Sequence, residues 1–342
     1  MHFKKMIRFY DWWNYKTAPM LCFGYFFISV NDISLKQSLI SIPLFLLWVL
    51  GAGGTGHVLN DIADIRSDKI AGKTNYMSSY SYSKRIMLIL FLIIIACVPW
   101  FYLTLNMPLA ILILSEYILF FIYSFPPFRL KESLIGGIIA DALYGHALII
   151  LISALTFYQV GNPINIGYTF FIFLFVWQLL KGFRNILLHQ IDDRKNDKRS
   201  GTNTFVVRYG SNLTINLINR VILPLELIFF SVVLGYISLY LEKFYMAFVI
   251  FLIFTCLKFS LWKIFKLPLE HFKQKFLFFL NDFYEEWMPV IVLLYLVKNS
   301  FGFIFLLVIH FFLFYSVLEN FIADIKTINT NIHEQINENR LS

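Results

Sequence analysis

Residues 39–75 read LISIPLFLLWVLGAGGTGHVLNDIADIRSDKIAGKTN, and this segment joins a long apolar run directly to a cluster of aspartates. The run over 39–60 is long enough to cross a bilayer as a single helix, which takes about 20 apolar residues. Asp61, Asp64 and Asp68 follow at spacings that place all three on one face of a helix. The segment therefore predicts a membrane helix that ends in concentrated negative charge.

Similar apolar runs recur along the whole chain of 342 residues, which is 58% hydrophobic and only 15% charged. Soluble domains usually carry about 25% charged residues. We expect an all-α, multi-pass transmembrane helical bundle with nine core helices and a possible tenth, forming one integral-membrane domain over 1–342. The expected spans are 17–31, 39–60, 84–105, 107–125, 134–157, 166–190, 213–239 and 244–264, followed by a C-terminal membrane region over 276–322.

The net charge of +8 is distributed unevenly between the two sides of these predicted spans. Nearly all lysines and arginines fall in loops on the N-terminal side, whereas the opposite side holds Lys36, Lys243 and Lys298. By the positive-inside rule, the N-terminus and both aspartate motifs should face the cytoplasm. The pattern indicates a protein of the cell membrane whose basic loops meet the lipid bilayer, with no nucleic-acid partner.

A cluster of carboxylates beside a membrane requires cations, because like charges on one helix face repel and burial of charge is costly. Mg²⁺ suits the first cluster, since it prefers hard oxygen ligands and commonly bridges carboxylates to phosphates. The alternative is a solvated helix end at the membrane surface, where acidic residues cost little.

A second cluster, HQIDDRKNDKRSGTNTF at 189–205, again follows an apolar span on the same predicted side. Asp193 and Asp197 are four residues apart and share a helix face, with Asp192 beside them. Basic residues that could grip phosphate oxygens surround both clusters: Arg66, Lys69, Lys73, Arg194, Lys198 and Arg199. Together the clusters predict a diphosphate site for a substrate with a lipid tail.

Three motifs in combination resemble the UbiA superfamily of intramembrane prenyltransferases. They are NDxxDxxxD at 60–68, YSFPPFRLK at 123–131, and DxxxD at 193–197 with the trailing RSGTNTFVVRYG. The resemblance is strongest over 10–265. Gln190 departs from the pattern, because many family members have another Asp there, and Asp192 could take over as a ligand.

The resemblance implies a site for Mg²⁺ and a prenyl diphosphate. The implied metal ligands are Asn60, Asp61, Asp64, Asp68, Asp193 and Asp197, of which Asp64, Asp68, Asp193 and Asp197 would be catalytic. Other residues would bind substrate: Tyr123, Arg129, Lys131 and Asp192, together with Asn60 and Asp61. The resemblance also makes Asn14 and Lys16 possible contacts for the acceptor.

Several polar or small residues within apolar segments have two interpretations. Lys181 and Arg184 share a helix face with Asp192, so they either pair with it or contact the diphosphate or the acceptor. GAGGTG at 51–56 matches a dinucleotide fingerprint, but its place in an apolar helix favours close helix packing. For Glu285 and Glu286 we favour a surface turn over a cap on the cavity.

These observations predict a membrane enzyme that moves a prenyl group from an allylic prenyl diphosphate to a hydrophobic acceptor, which we expect to be aromatic. A terpene cyclase of the same family would need the same aspartates and is the main alternative. A non-enzymatic carrier of divalent cations is the third, and it predicts carboxylates near the middle of the membrane.

Overall fold

The computed structural model describes residues 2–264, 280–315, 318–323 and 326, and these residues contain helices but no β-strand. The all-α fold predicted from the sequence is confirmed. The α-helices, in chain order, are α1 (His2–Met6), α2 (Phe9–Trp12), α3 (Ala18–Val30), α4 (Leu35–Ala71), α5 (Tyr82–Cys97), α6 (Met107–Ser124), α7 (Gly136–Ala142), α8 (Leu148–Tyr158), α9 (Tyr168–Ser200), α10 (Phe205–Tyr209), α11 (Ser211–Leu217), α12 (Leu223–Tyr240), α13 (Phe244–Ile264), α14 (Met288–Asn299) and α15 (Ile304–Leu313).

Six helical stretches in the described part are long and apolar enough to cross a membrane, which makes the chain a multi-pass membrane protein. They are Leu35–Ile70, Tyr82–Phe101, Met107–Ser124, Gly136–Tyr158, Tyr168–Arg199 and Ser211–Tyr240. The total of nine or ten helices stays a prediction, and so does the side of the membrane on which the motifs lie. Residues 276–279 and 316–317 of the predicted C-terminal region lie outside the described residues.

The chain forms two compact units, residues 1–236 and residues 237–342. In the first unit α3 is the central helix, because every residue from Ala18 to Ile28 is buried. A helix that is apolar on all sides needs protein or lipid around it. Here α8 packs against α3, and a Cβ atom at Gly24 would lie 2.9 Å from the ring of Phe157.

The two helices that carry the aspartate motifs continue well past the predicted membrane spans. α4 begins with a capping box between Ser34 and Gln37 and ends at Gly72, whose φ is 68°. α9 ends in the same way at Gly201, with φ 73°. Glycine accommodates this left-handed conformation without a Cβ clash. Both motifs therefore lie on regular α-helix, in the last turns before the glycine at which each helix ends.

The glycine-rich segment of α4 packs against α5 and does not form a dinucleotide-binding turn. A Cβ atom at Gly51 would lie 2.5 Å from the backbone oxygen of Leu92 and 2.6 Å from the backbone nitrogen of Ala96. No side chain fits at that separation, so the missing Cβ permits the two helices to touch.

In the second unit, the surface turn that we favoured at Glu285 and Glu286 is wrong for Glu285, whereas Glu286 is partly exposed. Residues Asp282–Trp287 are a π-helical turn, and Glu285 is buried. Phe283 and Tyr284 are buried in the same turn, which carries the neighbouring Glu285 inward. Glu286 accepts a hydrogen bond of 2.6 Å from the amide of Asn320.

Candidate active site

A cavity of about 460 Å³ in the first unit brings the two aspartate motifs together, and we call it the central cavity. α4 contributes Asn60 and Asp64 to its wall, and α9 contributes Asp193 and Asp197. Both pairs lie in about the last three turns of their helices, so the like charges of Asp64, Asp193 and Asp197 share one end of the cavity and repel one another. Cations at this end of the cavity therefore stabilise the arrangement. Its basic wall residues are Arg8, Lys16, Lys73 and Lys131.

The residues of the first motif line two cavities. A second cavity of about 570 Å³, here the N-terminal cavity, is lined by Lys4 and Lys5 of α1 and by all four motif residues: Asn60, Asp61, Asp64 and Asp68. Only Asn60 and Asp64 of the four also line the central cavity. Positions 60 and 64 lie one turn apart on one face of α4, so the two side chains reach the same part of the cavity wall.

Each aspartate of the first motif has its own partner. Asp64 accepts from Lys131 Nζ at 2.5 Å and from Arg129 Nη2 at 3.3 Å. Asp61 lies 3.5 Å from the Arg8 guanidinium, measured from Oδ1 to Nη1. Asp68 accepts a hydrogen bond of 2.8 Å from the side-chain amide of Asn75, while the same amide donates to the backbone oxygen of Asp61. These contacts hold three carboxylates within two turns of helix.

The loop motif between α6 and α7 lies against the first aspartate motif. Lys131 donates to Asn60 Oδ1 at 3.0 Å as well as to Asp64, and Arg129 donates to the backbone oxygen of Ala63. Arg129 has φ 38°, a left-handed conformation that is uncommon for a non-glycine residue. Burial lowers the pKa of Lys131, and the contact with Asp64 opposes that shift. The loop therefore places the cationic side chains of Arg129 and Lys131 beside the C-terminal part of α4.

In the second motif, Asp193 and Asp197 reach the central cavity but Asp192 does not. Asp197 is half-buried and accepts a hydrogen bond from Thr204 at 3.2 Å, whereas Asp192 is exposed. Gln190, which departs from the family pattern, has a buried Oε1 with no hydrogen-bond partner among the described residues. The predicted role of Asp192 as a substrate or metal contact stays a prediction.

The two interior cations of α9 are buried and do not line the central cavity. Arg184 forms a bidentate ion pair with Glu226 of α12, at 2.7 Å and 2.9 Å, and both side chains are fully buried. Asp192, the partner expected from helical spacing, is exposed at the helix surface. Contact of Lys181 or Arg184 with substrate stays a prediction. Sequence reasoning missed Glu226, although a carboxylate inside an apolar run was a visible signal.

Away from the aspartates, the wall of the central cavity combines aromatic rings with small and aliphatic residues. Tyr123, which the loop motif predicts as a contact, lies there in edge-on contact with Tyr144 at 5.0 Å between ring centroids. His57 also lines the cavity and stacks on Trp12 at 5.9 Å. The other rings at the wall are Trp48 and Phe120. This part of the cavity suits a flat or apolar molecule.

The oxygen ligands in the central cavity fit a hard cation that is also held by oxygens of a bound substrate. In the residues that the structure describes, no three His, Cys, Asp or Glu side chains form a group that could hold a metal ion by itself. The central cavity instead places three carboxylates and one amide on two facing helices. Mg²⁺ usually takes one or two carboxylates, with phosphate oxygens and water completing its octahedron.

Apolar helices that cross a membrane, two acidic helix ends and a basic loop meet around one cavity. They define a multi-pass membrane protein with a polar site for a substrate that has an apolar part. The chain belongs to the UbiA prenyltransferase family, whose model matches residues 18–283. The resemblance inferred from the three motifs is confirmed, and family membership supports prenyl transfer over the cation-carrier alternative.

Solved structures share the fold at low sequence identity. A UbiA homolog from Archaeoglobus fulgidus bound to GPP and Mg²⁺ has a TM-score of 0.54 at 15% identity, covering 85% of this chain and 99% of that one. The same homolog bound to DMAPP and Mg²⁺ has a TM-score of 0.52 at 15% identity, and the match covers 72% of this chain and 86% of that chain. A structure of digeranylgeranylglyceryl phosphate synthase has a TM-score of 0.54 at 19% identity, and the match covers 84% of this chain and 96% of that chain. No curated protein matches the chain significantly.

Proposed function

We propose that the protein transfers a prenyl group from an allylic prenyl diphosphate to a hydrophobic aromatic acceptor, with Mg²⁺ as cofactor. The observation that carries this proposal is the meeting of Asn60 and Asp64 with Asp193 and Asp197 in one cavity beside Lys131. The family supports prenyl transfer, and its Archaeoglobus fulgidus member has been solved with DMAPP or GPP and Mg²⁺.

In the proposed complex the diphosphate lies between the ends of α4 and α9. The metal ligands would come from Asn60, Asp61, Asp64, Asp68, Asp193 and Asp197, with the central cavity receiving four of them. Arg129 and Lys131 would bind diphosphate oxygens, and Tyr123 would stand beside the first carbons of the prenyl chain. The contacts of Lys131 with Asn60 and Asp64 support this role, because they hold its ammonium group beside the aspartates at the cavity wall.

The chemistry is a substitution at the allylic carbon. The bond between that carbon and the diphosphate oxygen breaks, and its electron pair leaves with the diphosphate. When bound, Mg²⁺ supplies positive charge where negative charge grows on the leaving group. Arg129 and Lys131 act on the same growing charge and are already in position before the reaction. The aromatic walls exclude water from the allylic cation and offer their electron-rich faces to it.

The acceptor completes the reaction. A π electron pair of its ring forms the new bond between a ring carbon and the allylic carbon. The attacked ring carbon then loses its proton to the released diphosphate or to water, and the ring becomes aromatic again. In the cyclase alternative, a double bond of the same prenyl chain supplies that electron pair. The aspartates serve both reactions equally, so only the need for an acceptor separates them.

The direct test uses the full-length protein in detergent with Mg²⁺ and a set of prenyl diphosphates, with and without aromatic acceptors. We expect products whose mass equals acceptor plus prenyl group, and we expect EDTA to abolish them and added Mg²⁺ to restore them. Diphosphate release and product mass are the measurements. Hydrocarbon products without an acceptor would favour the cyclase, and no diphosphate release from any donor would contradict the proposal.

A further inference from the structure

The N-terminal cavity differs in character from the central cavity, because charged and polar side chains form most of its wall. Its cationic residues are Lys4, Lys5, Arg8 and Lys73, and none of the described residues that line it is aliphatic. The wall of the central cavity, by contrast, includes aliphatic residues and tryptophans. An apolar prenyl chain therefore has no surface to pack on in the N-terminal cavity, which suits a polar ligand.

Positive and negative side chains are balanced in the wall of the N-terminal cavity. Asp11 lies there with the three aspartates of the first motif, so the cavity has four carboxylates as well as four cations. A bare anion would be repelled by the carboxylates, and a bare metal ion by the cations. A diphosphate that carries Mg²⁺ suits both sets, because carboxylate oxygens coordinate the metal while lysine and arginine bind phosphate oxygens. The wall therefore favours a metal-bound phosphate compound without an apolar tail.

The two cavities adjoin one another. Four residues line both of them: Arg8, Asn60, Asp64 and Lys73. At this boundary Arg8 is held by two carboxylates, since its Nε donates to Asp11 at 2.8 Å and its Nη1 lies 3.5 Å from Asp61. Arg8 also has φ 50°, a strained conformation of the kind that clusters at ligand-binding sites. A polar ligand that leaves the aspartate end of the central cavity therefore meets cations and not an apolar wall.

We propose that the N-terminal cavity is a second binding site, which takes the magnesium-bound diphosphate after it has separated from the prenyl group. This inference rests on the proposed function, because that reaction releases diphosphate between α4 and α9. The movement breaks no covalent bond. The anion exchanges Lys131, which lines only the central cavity, for Lys4 and Lys5, which line only the N-terminal cavity. The central cavity is then cleared for the next donor while the diphosphate is still bound.

The test measures binding of radiolabelled inorganic diphosphate to the full-length protein in detergent, by equilibrium dialysis with Mg²⁺. Saturating prenyl thiodiphosphate, a non-hydrolysable donor analogue, occupies the central cavity, so any diphosphate that still binds reports another site. We expect one diphosphate per chain. Lys4→Gln/Lys5→Gln should weaken its binding by about tenfold, the combined effect of two exposed charged contacts. The same variant should bind prenyl thiodiphosphate as the wild-type protein does, because neither lysine lines the central cavity.

Two controls accompany this measurement. Lys36→Gln/Lys84→Gln removes the same charge from two exposed lysines outside the walls of both cavities, and it should bind diphosphate like the wild-type protein. A lipid headgroup offers the same phosphate oxygens, so the titration is repeated in nanodiscs of neutral lipid with and without phosphatidic acid. We expect phosphatidic acid to leave diphosphate binding unchanged, because the N-terminal cavity offers acyl chains no apolar wall.

The outcomes separate this inference from the proposed function. A wild-type protein that does not bind prenyl thiodiphosphate would overturn the proposed function. With the thiodiphosphate bound, other results would overturn the role of the N-terminal cavity alone. They are the absence of a further diphosphate site, a site that Lys4→Gln/Lys5→Gln leaves intact, an equal loss in the control variant, and displacement of diphosphate by phosphatidic acid.

Discussion

Asp64→Asn is expected to lower the rate of diphosphate release by about 10²–10³-fold, the loss typical of removing one preorganised electrostatic group from an active site. Asp64 contacts both Lys131 and Arg129, and it lies in the walls of both cavities. The substitution preserves the size of the side chain but removes the charge that pairs with those cations. The measurement is initial-rate diphosphate release at saturating prenyl diphosphate, titrated with Mg²⁺.

Asp193→Asn should give a loss of the same order, because Asp193 faces the same cavity from α9. Asp32→Asn is the matched control: Asp32 is exposed in the turn after α3, and asparagine accepts its left-handed φ of 51°. It should retain wild-type activity. If either cavity variant behaved like Asp32→Asn, the aspartates would be ordinary charges on a helix end and not parts of the site.

Arg184→Leu is expected to destabilise the protein by about 3–5 kcal/mol, because it leaves Glu226 as a buried charge without its partner. The pair joins α9 to α12 through two short hydrogen bonds, and both side chains are fully buried. Thermal unfolding of the detergent-solubilised protein measures the loss, with Glu226→Leu expected to be destabilising as well.

The double variant Arg184→Leu/Glu226→Leu distinguishes a structural role for Arg184 from contact with substrate. Replacing both partners by apolar residues removes the uncompensated charge, so most of the stability should return. If Arg184 acts only through the ion pair, prenyl transfer should return with it. A stable double variant that lacks activity would instead show that Arg184 contacts the substrate, which is the second of the two interpretations given by the sequence.

Much of this site could be predicted from the sequence because its chemistry is encoded in local motifs. Spacing along one helix placed Asp193 and Asp197 on one face, and the structure puts both in the central cavity. The same reasoning grouped Asp61 with Asp64, and both line the N-terminal cavity, but Asp61 contacts Arg8 and does not line the central cavity. Whether neighbouring positions share a cavity depends on where other helices pack, which spacing does not determine.

The residues that the sequence did not reveal are those whose partners lie on distant helices. For Arg184 the sequence left two alternatives, a pair with Asp192 on the same helix face or contact with substrate, and the structure shows an ion pair with Glu226 on α12. Glu116 is likewise a charged residue inside an apolar run, and the structure shows that it lies in the wall of the central cavity. A surface turn was favoured for Glu285, but Phe283 and Tyr284 are buried in the same π-helical turn and Glu285 is buried with them.

The central claim is that both aspartate motifs bind one prenyl diphosphate in one cavity. Calorimetric titration of the wild-type protein with a non-hydrolysable prenyl thiodiphosphate tests it most directly, in the presence and absence of Mg²⁺. We predict one Mg²⁺-dependent site per chain, whose affinity falls sharply in both Asp64→Asn and Asp193→Asn. Two independent sites, or a site that either substitution leaves intact, would contradict the claim.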